Sequence, residues 1–132
     1  MAVIRLSRTI NTCTSDVFTA LTDQDYLAGW FAPNVITIPV VGTYAAFAFE
    51  EDIHFKVQLE VLEQNRKIVW SYAEGSLNWD GSVITFSLKE KEGGKTLLNF
   101  THSGLQETAK LEKWKQSWSN FLDKLKIFTE KK

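Results

Sequence analysis

Leu111-Glu112-Lys113-Trp114-Lys115-Gln116-Ser117-Trp118-Ser119-Asn120-Phe121-Leu122-Asp123-Lys124-Leu125-Lys126-Ile127-Phe128 is the stretch that decides the fold. Leu111, Trp114, Trp118, Phe121, Leu125 and Phe128 recur at spacings of three and four, which gathers them into one wide apolar stripe of a helix. Lys113, Lys115, Asn120, Asp123, Lys124 and Lys126 largely occupy the rest of its surface. A long amphipathic helix of this kind needs an apolar partner, and the chain upstream supplies one.

Between residues 35 and 102 the pattern changes to period two, punctuated by turn signals at Gly42, Asn65-Arg66, Asp80-Gly81 and Gly93-Gly94. Ala45/Phe47/Phe49, Ile53/Phe55/Val57/Leu59/Val61, Ile68/Trp70/Tyr72, Ile84/Phe86/Leu88 and Leu98/Phe100/His102 each put their larger side chains on one face, because successive strand residues point opposite ways. The other face is mostly Glu, Gln, Lys, Ser and Thr. An antiparallel meander apolar on one side must bury that side. The expected architecture is α+β: a curved antiparallel sheet wrapped around the C-terminal helix.

Ahead of the meander, residues 3–10 alternate and are β-branched, which predicts a first strand. Arg8 shares a face there with Ile4, Leu6 and Ile10, and a strand end reaching solvent is a plainer reading of it than a buried functional arginine. Thr14 or Ser15 can cap a short helix through Leu21, with Asp16 near its positive end. Thr22-Asp23-Gln24-Asp25 repeats the start signal before Tyr26, Leu27, Trp30 and Phe31, and Pro33 ends this second short helix.

Composition narrows the function classes. The 132 residues fit one domain, 1–132, able to bury roughly two-thirds of its unfolded surface. With 44% hydrophobic and 23% charged residues, the chain has globular rather than disordered composition. A formal net charge of −1 offers no basic field for nucleic acid or an anionic bilayer. The lone Cys13, and the lack of a leader pattern or an apolar run of about 20 residues, make a reducing cytoplasm the expected location.

Strand, two short helices, meander and terminal helix, in that order, resemble the helix-grip fold of the START-like (SRPBCC, Bet v-like) superfamily. Val17-Phe18-Thr19-Ala20-Leu21-Thr22-Asp23, Trp30-Phe31-Ala32-Pro33, Gly42-x-Tyr44, Ile68-Val69-Trp70-Ser71-Tyr72 and Val83-Ile84-Thr85-Phe86 look like one branch. It is the branch related to the C-terminal domain of the activator of the ninety-kilodalton heat-shock protein ATPase. Thr96-x-Leu98-x-Phe100-Thr101-His102-Ser103-Gly104-Leu105 and Trp118-x-x-x-Leu122-x-x-Leu125-Lys126 complete the similarity, which spans nearly the whole chain. The resemblance implies a small hydrophobic ligand, a chaperone or other protein partner, or cyclase- or dehydratase-type chemistry.

Residue chemistry favours binding over catalysis. His54 and His102 are far apart in sequence, Cys13 has no second cysteine, and no pair has a zinc-ligand spacing, so neither metal nor cofactor is expected. Gly93-Gly94 lies in a Lys/Glu-rich hairpin turn rather than a phosphate loop. His102 and Ser103 are adjacent on a strand and therefore point apart; His102 reads more simply as a locally bonded histidine than as an acid/base. Cys13 reads as a small residue at a helix start, without the basic partner of a reactive thiol. Glu50-Glu51-Asp52 reads as a solvated hairpin loop.

Trp30, Phe31, Phe47, Phe49, Phe55, Trp70, Tyr72, Phe86, Phe100, Trp114, Trp118 and Phe121 are expected to converge between sheet and helix. They either fill the core, contributing roughly 1.5–3 kcal/mol each, or line a ligand cavity with His102, Tyr72 and Ser117 as orienting groups. An empty cavity of about 300 Å³ would cost on the order of 7 kcal/mol, comparable to a whole domain's stability, so any cavity is small, wet or occupied. Ala45, Ala46 and Ala48 are expected to leave room beside the rings. Trp79, in a turn region, has no evident core partner and reads as covering a pocket mouth or marking a protein contact.

Overall fold

The computed structural model describes residues 2–50 and 52–131. Glu51, the centre of the acidic loop, lies outside the described residues. Strand β1 (Ala2–Ile10) is followed by α1 (Thr14–Thr22) and α2 (Gln24–Trp30). Six strands come next: β2 (Asn34–Ile36), β3 (Tyr44–Ala48), β4 (His54–Glu63), β5 (Lys67–Gly75), β6 (Val83–Lys91) and β7 (Lys95–Leu105). Helix α3 (Leu111–Glu130) closes the chain. All strands form one antiparallel sheet in the order β1-β7-β6-β5-β4-β3-β2, so the first strand returns beside the last.

The apolar face of the sheet and the stripe of α3 bury each other as the periodicities require. Trp114, Trp118, Leu122 and Leu125 are buried with Phe47, Phe55, Trp70, Phe86 and Phe100 of the strands. Two sequence expectations change at β4. The register shift between Leu59 and Val61 is a bulge, and beyond it Leu62, opposite Ile68, packs against the core in place of Val61. An extra residue in one strand reverses its alternation and bends it. Ile53, expected to begin the inward row, precedes the strand and is 40% exposed.

Helix starts also differ from expectation. Cys13, not Thr14 or Ser15, occupies the N-cap of α1 and makes no side-chain cap bond; Thr12 Oγ1 instead donates to Asp16 2.7 Å away. Asp23, not Thr22, caps α2 by accepting from the amides of Asp25 and Tyr26, while Thr22 donates to Phe18 O. A carboxylate one position later reaches both orphan amides, which a helical Thr22 cannot.

Several contacts fix α3 across the sheet. Arg8, inward-facing rather than simply solvent-reaching, donates through Nε to Asp123 at 2.8 Å and through Nη2 to Ser119 Oγ at 2.7 Å. Lys126 donates to Thr9 O, and Glu130 accepts from the Asn11 amide; that bond and Lys126 hold the Glu130 carboxyl below its ordinary value. Helix α2 approaches α3 at Gly29, where an added Cβ would lie 2.7 Å from the Phe128 ring. Trp30 Nε1 donates to Ala20 O at 2.8 Å, locking α2 onto α1 and delivering Phe31 to the centre of the aromatic layer.

Candidate functional site

Phe31 is the hub of that layer. Its ring meets Phe47, Phe49, Phe55 and Phe121 edge-on at 4.8–6.4 Å and stacks on Trp118 at 5.9 Å. The rings interlock near the sheet, but they leave a cavity of about 260 Å³ between the first half of α3, the start of β4 and the loop of residues 76–82. Phe31, Phe49, Phe55 and Trp118 line it. Trp79, Trp114 and Phe121, packed on those rings or beside them, line it too, as do Ile53 and Leu77. Lys110, Lys113, Ser117, Ser76 and Asn78 supply the polar edge, and all five are exposed.

The loop bearing Trp79 is held from both ends. Ser76 exchanges bonds with the backbone of His54, and Tyr72 Oη donates to Leu77 O at 2.8 Å. Burial pushes that phenol above its ordinary pKa. Gly75 allows the turn: its φ is +151°, and a Cβ would collide with His54 O and lie 2.5 Å from Phe55 Cα. Trp79 is therefore not an exposed ring at a protein contact. It is 6% exposed and packs on Phe55, Trp114, Trp118 and the His102 ring, the last perpendicular at 4.6 Å. Its Nε1 is buried without a hydrogen-bond partner.

His102 lies behind this wall rather than in the lining, and is fully buried. Trp118 Nε1 donates to its Nδ1 at 3.1 Å, and its Nε2 is 3.0 Å from Ser82 Oγ. An indole N–H can only donate, so Nδ1 is the acceptor and the proton sits on Nε2, which donates to Ser82. Burial pulls the imidazole down to about 3, and the neutral ring has no nitrogen left for a ligand. The acid/base reading of His102 thus has no geometric basis.

Of the rings and orienting groups expected around a cavity, Phe31, Phe49, Phe55, Trp114, Ser117, Trp118 and Phe121 line it. Trp30, Phe47, Trp70, Tyr72, Phe86, Phe100 and His102 stand outside this lining: Phe31 packs on Trp30, Phe47 and Trp70, Trp118 packs on Phe100, Phe86 lies against Trp70 and Phe100, and Trp79 packs on Tyr72 and His102. Phe47 and Trp70 instead border a void of about 10 Å³, no larger than a water needs. Ala46 and Ala48 do not make room inside: period two turns them to the outer face opposite Lys56 and His54. Periodicity did not point to Ile53, Ser76, Leu77, Asn78, Lys110 or Lys113 as lining residues. The helical spacing of Lys110, Lys113, Trp114, Ser117, Trp118 and Phe121 was the available signal, since these residues share one side of α3.

Among the described residues, no cluster of His, Cys, Asp and Glu could hold a metal ion, and no helix is long and apolar enough to cross a membrane.

Comparison with known proteins agrees with this architecture. The solution structure of the Aha1 dimer from Colwellia psychrerythraea is similar over 98% of this chain and 97% of that one, with 28% identity and a TM-score of 0.90. A crystal structure from Mesorhizobium loti matches with 21% identity and a TM-score of 0.86 over 98% of both chains. CalU16 from Micromonospora echinospora matches with 23% identity and a TM-score of 0.75, over 96% of this chain and 75% of that one. The latter two similarities concern the fold alone. No curated protein sequence matches the chain. The sheet order and the gripped helix are the helix-grip, START-like fold, and the model of the Activator of Hsp90 ATPase homolog 1-like proteins matches residues 11–130. The chain belongs to the family of Activator of Hsp90 ATPase homolog 1-like proteins.

Proposed function

We propose that this domain binds a small apolar or amphipathic ligand in the cavity between α3, β4 and the loop of residues 76–82. The observation that carries this reading is the cavity itself, about 260 Å³ walled by seven aromatic rings. The cavity opens to solvent at its polar edge, and water against its aromatic walls gains few hydrogen bonds. Displacing that water with an apolar group is favourable. Native mass spectrometry of freshly purified protein, with release of anything bound, tests the reading. A reproducible small apolar or amphipathic molecule supports it. A clean apo mass, together with no thermal stabilisation by any small amphiphile, counts against it.

A second reading, a protein-contact role, rests on a different surface. Ile36, Ile38, Val40, Val41 and Tyr44 are each more than half exposed, around the edge strand β2 and the loop after it. A cluster of this kind marks an interaction surface, and the family and the dimeric Colwellia relative supply candidate partners: an Hsp90-type chaperone or a second copy. Light scattering and a chaperone-binding titration test this. A monomer that forms no complex at micromolar chaperone removes its support.

A further inference from the structure

We propose that the ligand of this cavity is a small amphipathic carboxylate, its apolar body held between the rings and its anionic head at Lys110 and Lys113. The inference rests on the binding reading above and specifies the class of ligand. Lys110 is the N-cap of α3 and Lys113 lies in its first turn, and both belong to the cavity's edge. Among the described residues of the lining, these two are the charged ones; there is no Asp or Glu, and Ser76, Asn78 and Ser117 are neutral.

Among the described residues, neither lysine has a salt-bridge partner. The ion pairs among the described residues are Arg8–Asp123, Lys56–Glu74 and Lys126–Glu130, and none involves Lys110 or Lys113. Five acidic residues stand close by but outside the lining: Glu50 and Asp52 adjoin Phe49 and Ile53, Asp80 adjoins Trp79, Glu107 accepts from Asn78 Nδ2, and Glu112 is on the first turn of α3. Two cations without a salt-bridge partner at the rim of low-dielectric aromatic walls favour an anion more than they would in bulk water. The positive end of the α3 dipole adds to the same field. A cationic head would meet two like charges, and a neutral head would gain nothing from them. Size limits the body. A volume of 260 Å³ equals about nine waters, enough for a chain of about eight carbons or one ring system, and too little for a two-chain lipid.

Octanoate, octanol and octylamine, titrated against the intrinsic fluorescence of Trp79, Trp114 and Trp118, separate the alternatives. Octanoate should bind about tenfold more tightly than octanol at about 20 mM salt, octylamine should bind most weakly, and the preference should shrink at about 500 mM salt. In K110Q/K113Q the preference should fall to about twofold or less through loss of octanoate affinity, and octanol should still bind, which reports an intact cavity. Lys115, exposed on α3 outside the lining, supplies a control in which K115Q keeps the preference. Equal affinity of octanol and octanoate for the wild type, or a preference that survives K110Q/K113Q, overturns the carboxylate inference and leaves the cavity reading standing. If none of the three amphiphiles changes either fluorescence or melting temperature, both fail.

Discussion

Replacing His102 by Gln should flatten the acid limb of the stability profile. Folded His102 stays neutral down to about pH 3, because burial disfavours the charged ring and a second N–H at Nδ1 would face the Trp118 donor. An unfolded histidine takes a proton near its ordinary 6.5. Between these values the unfolded chain binds more protons than the folded one, so stability rises with pH across the window and is lost as pH falls through it. Linkage gives a loss from this one group of about 0.2 kcal/mol at pH 7 and about 2 kcal/mol at pH 5. His102→Gln keeps an acceptor and a donor between Trp118 and Ser82 but carries no titrating proton. Urea unfolding followed by tryptophan fluorescence, at about pH 7, 6 and 5, measures both proteins. Subtracting the two profiles cancels the carboxylates they share, and the wild type should lose about 2 kcal/mol more than the variant. Parallel profiles, within about 0.5 kcal/mol, would refute the buried neutral imidazole.

Trp118→Phe should cost more stability than Trp79→Phe: the first strands His102 Nδ1 in the core, at about 1–3 kcal/mol, whereas the second removes an indole N–H that already lacks a partner; equal midpoints in urea would contradict this. Phe31→Ala should destabilise by about 3–5 kcal/mol, since the ring is the hub of the aromatic layer, and an unfolding free energy within about 1 kcal/mol of wild type would contradict that placement. Gly75→Ala should cost more than about 2 kcal/mol through collision with His54 O and Phe55, while Gly94→Ala, with nothing within 4 Å of an added Cβ, should cost about 1 kcal/mol for its positive φ; calorimetric melting of the pair compares them. Arg8→Met should lower stability by about 1 kcal/mol, for the loss of a half-buried link between β1 and α3, and an unchanged melting temperature would show that the link contributes nothing.

The fold was legible because its signals are local. The stripe of α3 and the alternations of β4 to β7 each sit within one element, and a one-sided sheet beside a one-sided helix has little choice of partner. The lining of the cavity was legible in part, for the same reason. Phe31, Phe49, Phe55, Trp114 and Trp118 lie on faces that periodicity identifies, and all five reach the cavity. The residues that periodicity misplaced lie where it breaks: Val61 and Leu62 at a bulge, Trp79 in a loop, Ile53 before a strand.

By itself, then, the sequence determined the α+β class, the inward faces and the aromatic supply of the core, since these follow from side-chain spacing at 3.6 and 2.0 residues. Tertiary structure alone decided which rings close on one another and which leave space. It also seated Trp79 against His102 and Trp114, gave His102 partners 16 and 20 residues away, and set Lys110 and Lys113 at the rim. Each of those outcomes depends on how residues distant in the chain meet after the sheet has curved and the helix has docked, and no local pattern encodes that meeting.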